Sequence, residues 1–375
     1  MDDAIYADES IYEYPMQQGG GNDGRPYSFG RPSSGGSKAA YPCKSYGQGR
    51  INPAYFYGIF DPNDMRRDVS ITMTGSNGKG VEKLIPFVPN SKAEGGGLTL
   101  NKWDENRQAN PWVAAQRKSG INGPYMRMSE VYLGYAEVCA ALGDVVTGKQ
   151  YLKTVRERSF PQGLADTDGF IASFGNDLVR AIIEERGFEY AGEGDRRWTL
   201  IRSGYLPEDI KRIKDMTKAM MDGLATKGYY EFENGNIISA YIWTKLVDAK
   251  TIYGHRLTAQ CPMDKVNDPV LYPGWRGQKD NWEGMGLNYG SSTPATNLAI
   301  KGLFEIVSEE EAASLESQGY AKVNWGIDLV DYRDEYDKYL FWDYDYVSAP
   351  IYLWPFTPNV MAAGGFTNGY GFKQE

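Results

Sequence analysis

Glu184, Glu185, Glu189, Glu193 and Asp195 crowd one stretch with Arg186, and Arg196, Arg197 and Arg202 follow around Trp198. Paired carboxyls facing each other across a bond are what glycoside hydrolysis requires, one as acid and one as base or nucleophile. The same residues have a plainer reading. Their signs alternate over consecutive helical turns and guanidinium forks suit carboxylates, so the pattern favours an ion-pair clasp joining two helices through the tight link at 192–194.

A second constellation has different chemistry. Tyr272, Trp275, Arg276, Lys279, Asp280, Asn281, Trp282, Glu283, Asn288 and Tyr289 alternate with glycines at 274, 277, 284, 286 and 290. A sugar offers an apolar C–H face and a rim of hydroxyls, so its site needs flat rings to stack on and planar polar groups beside them. Trp275, Trp282 and Tyr289 are the expected stacking surfaces, with Arg276, Asp280, Asn281 and Asn288 as hydroxyl partners. Trp103 and Trp112, in the polar stretch 101–116, are further candidates. The alternative for each ring is a small satellite core beneath the loop.

Other chemistry is thinly supplied. His255 is the single histidine, which excludes multi-histidine metal sites and leaves a Ser-His-Asp design resting on one residue better read as structural. Cys43, Cys139 and Cys261 are too few for a disulfide framework or a four-cysteine zinc site. Asp61, Asn63 and Asp64 lack the glycine and distal glutamate of a calcium loop and read as a turn. No catalytic residue, metal or cofactor is expected.

The elements that position these residues fall into three regions. Residues 1–120 read as loop and short strand, with glycine clusters and no helical periodicity. Residues 121–228 are helical. Met128, Val131, Tyr132, Tyr135, Ala136, Val138, Cys139 and Leu142 recur at helical spacing, with Ser129 the expected cap and Gly143 the stop. A helix at 147–158, with Tyr151, Leu152 and Val155 inward, completes an antiparallel hairpin of tetratricopeptide-like size. Further helices are expected at 176–190, 196–202 and 207–225, the last opened by Pro207. Residues 229–375 return to loops rich in Tyr, Trp, Gly and Pro, with a short amphipathic stretch at 308–317.

Composition bounds the partners. Forty basic side chains against 49 acidic ones leave a net charge of −9, with the cations dispersed, so nucleic acid is a poor partner. No apolar run approaches the ~20 residues of a membrane-spanning helix. The opening Asp2, Asp3, Ala4, Ile5 has no basic or apolar leader, so either the protein is cytoplasmic or the sequence starts inside a longer precursor.

Several stretches together resemble the C-terminal part of the SusD/RagB family of outer-membrane nutrient-binding lipoproteins. Residues 127–138 (RMSEVYLGYAEV) look like the family's R-x-x-E-V-x-L-x-Y-A-E helix, and 151–158 (YLKTVRER) like its Y-L-N-x-V-R-x-R. Residues 183–204 follow E-R-x-x-E-F-A-G-E-G-x-R-x-W-D-L-x-R-x-G closely, departing at Thr199, where the family usually has Asp. Residues 9–15 (ESIYEYP), 61–68 (DPNDMRRD), 353–356 (LWPF) and 368–370 (NGY) resemble weaker family segments, the last without its usual proline.

The resemblance implies a mainly α fold: a tetratricopeptide-like scaffold with long aromatic-rich loops and few short strands. On it, 1–120 continues from a missing N-terminal helical region, 121–228 is the helical core, and 229–375 is the loop-rich C-terminal region. It further implies a non-catalytic subunit on the outer face of the outer membrane, anchored by a lipidated N-terminus absent from this chain. That subunit would capture oligosaccharide or polysaccharide for a SusC-like TonB-dependent transporter. The alternatives are a peptide-binding member of the family or a glycoside hydrolase using the 184–195 carboxylates.

Overall fold

The computed structural model describes residues 9–19, 51–72, 74–76, 82–84, 98–100, 102–103, 120–160, 163–248, 296–331, 345–348, 350–353, 356–365 and 367. Strand β1 (Ser10–Tyr14) is the first element. A π-helical turn (Tyr55–Ile59) and helix α1 (Met65–Ser70) follow where the sequence showed no helical period. The stretch is too short to display one. What starts α1 is legible: the Asp64 carboxylate caps it, accepting from Arg66 N at 3.0 Å, while Asp61 accepts from Asn63 N in the expected turn.

Short pairings complete this region. They are β2 (Ile71–Thr72) with β5 (Thr99–Leu100), β3 (Thr74–Ser76) with β4 (Glu82–Leu84), and β1 with β6 (Gly123–Arg127), all antiparallel.

Helix α2 (Met128–Ala141) and α3 (Val145–Glu157) form the expected hairpin. Gly143, at φ 88, makes the reversal, and Asp144 caps α3 by accepting from Thr147 N at 3.1 Å. Where the helices cross, a Cβ on Gly148 would lie 3.0 Å from the Ala136 carbonyl oxygen and 3.2 Å from the Leu178 side chain, so a larger residue there would require these neighbours to give way. Leu133 and Ala136 of α2 pack on Leu152 and Val155 of α3. Ile171 of α4 (Thr167–Ala172) and Leu178, Ala181 and Ile182 of α5 (Leu178–Glu189) complete that core. Each fully buried aliphatic side chain contributes about 1.5–3 kcal/mol.

Two expectations for α2 are corrected. Arg127, not Ser129, precedes the first turn, and Ser129 is buried inside the helix, where its Oγ accepts from the Tyr190 hydroxyl at 3.1 Å. The helical spacing grouped Val131, Tyr135, Val138 and Leu142 with Ala136 and Cys139; the fold buries Ala136 and Cys139 together with Leu133, which that grouping omitted, and leaves Val131, Tyr135, Val138 and Leu142 exposed.

Helix α5 is buried on nearly every side and joins three cores. Ala181 and Ile182 face the α2–α3 hairpin, Ile183 meets Leu200 and Leu206, and Phe188 enters the third core. Helix α6 (Arg196–Ser203) ends at Gly204, φ 79, and α7 (Leu206–Lys227) starts with Pro207 in its first turn, as expected.

The third core packs Met220, Met221 and Leu224 of α7 against Phe56, Phe60, Phe188, Phe232, Ile238, Ile242, Ile300 and Trp325. Its strands are the hairpin β7 (Tyr229–Glu231) with β8 (Ile237–Ser239) and a three-stranded antiparallel sheet. In that sheet β9 (Tyr241–Asp248) lies between β10 (Thr296–Lys301) and β11 (Ala321–Asn324). Helices α8 (Glu309–Ser317), α9 (Trp325–Asp331) and α10 (Pro358–Gly364) finish the described chain. The Ser308 side chain caps α8, accepting from Glu311 N at 3.2 Å.

Candidate functional site

The clustered acids of α5 are the first candidates, and burial decides their chemistry. Glu184, Glu185 and Glu189 are all buried, at 1%, 0% and 4% exposure. Glu184 accepts from Arg196 at 2.8 Å and Arg212 at 3.0 Å, while Asp209 accepts from the same two arginines at 3.0 and 2.7 Å. Glu185 accepts from Arg66 at 2.6 Å and Arg156 at 3.0 Å. Glu189 binds Arg127 at 2.7 Å and Arg66 at 3.1 Å, and pairs with Arg158. Every carboxylate here is met by at least two guanidinium groups.

Burial pushes the Glu184 carboxyl up, but Arg196 and Arg212 outweigh it and hold it down to about 2. Burial also opposes the charge on Glu189, and Arg66, Arg127 and Arg158 hold it well below the usual carboxylate range. A glycosidase acid must keep its proton near neutral pH. These groups are tuned the opposite way, and the cluster is a structural clasp.

Thr199, which stands where the resembled motif has Asp, still joins the clasp. Its Oγ1 accepts from Arg186 Nε at 3.2 Å and donates to Asp195 at 2.8 Å, and Arg186 reaches Asp195 directly at 2.7 Å. A hydroxyl therefore bridges a guanidinium and a carboxylate. Thr199→Val removes the bridge without changing volume and is expected to cost about 1–3 kcal/mol, read as a lower urea midpoint at constant slope.

The ring-bearing candidates divide. Trp275, Trp282, Tyr289, Arg276, Asp280, Asn281, Asn288 and Trp112 lie outside the described residues, as do His255, Cys43 and Cys261. Trp103 is 1% exposed, so its indole is a packing ring and not an open stacking face. Lys102 beside it donates to the Glu189 carbonyl at 2.7 Å and pairs with Glu193, which draws this short segment against the clasp.

Rings that sequence reasoning did not single out are open. On the β1–β6 ribbon, Tyr12, Tyr14 and Tyr125 are 59%, 66% and 77% exposed. The Tyr12 and Tyr125 rings meet edge to face at 5.8 Å and 87°. Register explains the meeting: Tyr12 pairs with Met126 and Glu13 with Pro124, so Tyr125 falls in a bulge that re-aims its side chain. The ribbon is fixed at both ends. At one, Arg127 reaches Glu9 at 2.8 Å, Glu189 at 2.7 Å and Glu193 at 2.9 Å, and Met128 N donates to the Glu9 carbonyl at 2.7 Å. At the other, the Asn122 side chain accepts from Met16 N at 2.9 Å and donates to Glu13 at 2.7 Å. Trp198, 57% exposed on α6, is a further open ring, one turn from Arg202, which holds Glu137 at 2.5 and 2.7 Å.

A family model, that of the SusD family, matches residues 5–357, a range that includes the clasp and the α2–α3 hairpin. The chain belongs to the SusD family. Its fold is accordingly a mainly helical, tetratricopeptide-like scaffold with few short strands. A SusD-like protein P25 from Formosa agariphila is 28% identical over 160 residues, covering 42% of this chain and 26% of that protein. A SusD homolog from Bacteroides thetaiotaomicron VPI-5482 is 22% identical with a TM-score of 0.31, covering 43% of this chain and 33% of its own. Surface glycan-binding protein A from Bacteroides thetaiotaomicron, in complex with laminarihexaose, is 18% identical with a TM-score of 0.36, covering 53% and 44%. In each match less than half of the relative's own length is spanned.

Proposed function

We propose that this SusD-family protein is a non-catalytic glycan-binding subunit at the outer face of the outer membrane. Held there by a lipid anchor, it captures oligosaccharide and passes it to a SusC-like TonB-dependent transporter. Family membership over residues 5–357 is the observation that carries this reading. The state of the clustered acids supports it, since Glu184, Glu185 and Glu189, the helix carboxylates among those that a hydrolase would use, are buried and paired with arginine. Among the described residues no helix is long and apolar enough to cross a membrane, and no group of three His, Cys, Asp or Glu could hold a metal ion.

Trp275, Trp282 and Tyr289 are proposed to stack on sugar rings, with Arg276, Asp280, Asn281 and Asn288 as hydroxyl partners, because flat faces beside planar polar groups match a pyranose. Replacing Trp275 and Trp282 together by Ala is expected to abolish retardation in a native gel cast with the recognised polysaccharide while leaving the melting temperature nearly unchanged. A large fall in melting temperature would make these rings core. Release of reducing ends from any bound polysaccharide during a long incubation would replace the binder with a hydrolase.

A further inference from the structure

Strand alternation sorts the side chains of the three-stranded sheet onto two faces. Ile242 of β9, Ile300 of β10 and Val323 of β11 pack in the third core. The opposite face presents Tyr241, Trp243, Lys245, Lys301 and Lys322, with no acidic side chain among the described residues. Three cations thus share one face of a chain whose net charge is −9. Lys245 has a structural task, since its Nζ donates to the carbonyl of Gln318 at 2.8 Å and so caps the C-terminal end of α8. Among the described residues, Lys301 and Lys322 have no carboxylate within ion-pair distance.

Register sets these two lysines around one ring. Trp243, on the central strand, pairs with Lys301 on one side and with Lys322 on the other. Neighbouring strands lie about 5 Å apart, so the two lysine backbones are separated by about 10 Å with the indole between them, a gap their long side chains can close. Lys322 Nζ already stands 5.4 Å from the Trp243 ring centroid and 4.5 Å from that of Tyr241. Trp243 itself is 4% exposed. A Cβ on Gly302 would lie 3.0 Å from its Cε3 and 3.1 Å from its Cζ3, so that edge of the indole packs against the backbone following Lys301. The N–H stands on the opposite edge, is buried, and has no hydrogen-bond partner. A buried donor left unmet is costly, and this one belongs to the ring that the two lysines flank.

We propose that Lys301, Lys322 and the Trp243 N–H form a binding site for a doubly charged tetrahedral oxyanion: inorganic phosphate, sulfate or a phosphate monoester. The donor set selects this class. Two ammonium groups and an indole N–H only donate, so the ligand must accept at several points. A dianion neutralises both lysines and keeps an oxygen for the indole, whereas a single carboxylate neutralises one. Tyr241, 38% exposed and beneath the Lys322 ammonium, offers a ring on which the body of an aryl ester can lie. Lysines also keep edge strands from pairing with other chains, and β10 and β11 are both edges. That role accounts for the lysines and leaves the unmet N–H unexplained. The site is independent of the glycan reading.

The test is isothermal titration of the whole chain with sodium phosphate, sodium sulfate, phenyl phosphate and sodium acetate, at mildly alkaline pH and fixed ionic strength. The variants are Lys301→Gln/Lys322→Gln, Trp243→Phe, Tyr241→Ala and, as a charge control, Lys218→Gln at an exposed position of α7. The expected result is saturable binding of phosphate and sulfate, with acetate much weaker. Affinity should fall about tenfold or more in Lys301→Gln/Lys322→Gln at an unchanged melting temperature, fall by a smaller factor in Trp243→Phe, and stay the same in Lys218→Gln. Phenyl phosphate binding more tightly than inorganic phosphate, with the gain lost in Tyr241→Ala, would identify the occupant as an ester; equal binding would identify the free ion. The lysine variants decide the matter should Trp243→Phe, a buried change, fail to fold. No saturable binding by the wild type, acetate binding as tightly as sulfate, or an equal loss in Lys218→Gln would each overturn the site. So would a lysine double variant that binds phosphate like the wild type and only aggregates more readily, which would leave the lysines as edge protection.

Discussion

Glu185→Ala is expected to lower the free energy of unfolding by about 3–5 kcal/mol, seen as a large drop in the urea midpoint with little change in slope. The magnitude follows from what stays behind. Glu185 is fully buried, and its two oxygens take Arg66 at 2.6 Å and Arg156 at 3.0 Å. Arg66 retains Asp64 at 2.6 Å. Arg156 fares worse: it is 3% exposed, and its guanidinium lies 3.9 Å from the Phe170 ring centroid and 4.6 Å from that of Phe160. The aromatic faces hold it in place without neutralising it, and its remaining acid, Asp61, is 4.0 Å away.

A double-mutant cycle separates the pair from the cost of stranding one partner. Arg156→Met with Glu185→Leu removes both charges and keeps apolar volume, and it is expected to recover much of the loss. A loss below about 1 kcal/mol for Glu185→Ala would mean that water reaches the site and the clasp is not a dry pair.

The sequence made the clasp legible because charge order survives folding. Alternating acids and arginines on a short helix have few ways to be buried except against one another, and Glu184, Glu185, Arg186 and Glu189 are each paired. The hairpin of α2 and α3 was legible from its apolar spacing and its glycine stop, which are local signals, whereas the Asp144 cap starts α3 two residues before the expected 147.

What periodicity does not carry is the choice among equally apolar faces. On α2 the Leu133 row and the Val131 row both repeat at helical spacing, and the neighbours α3 and α5 decided which one was covered. Trp103 misled because its sequence neighbours are polar. Lys102 turned out to reach into the clasp, and that tether sets the indole inside. The ribbon tyrosines were hidden by the opposite effect. Residues 9–15 read as a strand, but which side is wet depends on a bulge on the partner strand more than a hundred residues away. Residues 272–290, the loop with the strongest ring pattern, lie outside the described residues.

Acid should weaken the protein through the same clasp. Glu184 has an ordinary carboxyl value of 4.5 once unfolded and about 2 when folded, because Arg196 and Arg212 outweigh the effect of its burial. A group held low in the folded state binds its proton more readily in the unfolded chain. Its contribution is therefore complete above pH 4.5 and is lost as the pH falls toward 2. For Glu184 the contribution is roughly 3 kcal/mol, and Glu189, also held low by its arginines, acts with the same sign. Urea midpoints are expected to be nearly level from pH 7 to 5 and to fall steeply from pH 4.5 to 3. Glu184→Gln cannot titrate, so it should start from a lower midpoint at pH 7 yet show a shallower fall over the acid range. Parallel curves for the two proteins would mean that Glu184 takes up its proton at an ordinary value in the folded state, which is incompatible with two guanidinium groups at 2.8 and 3.0 Å.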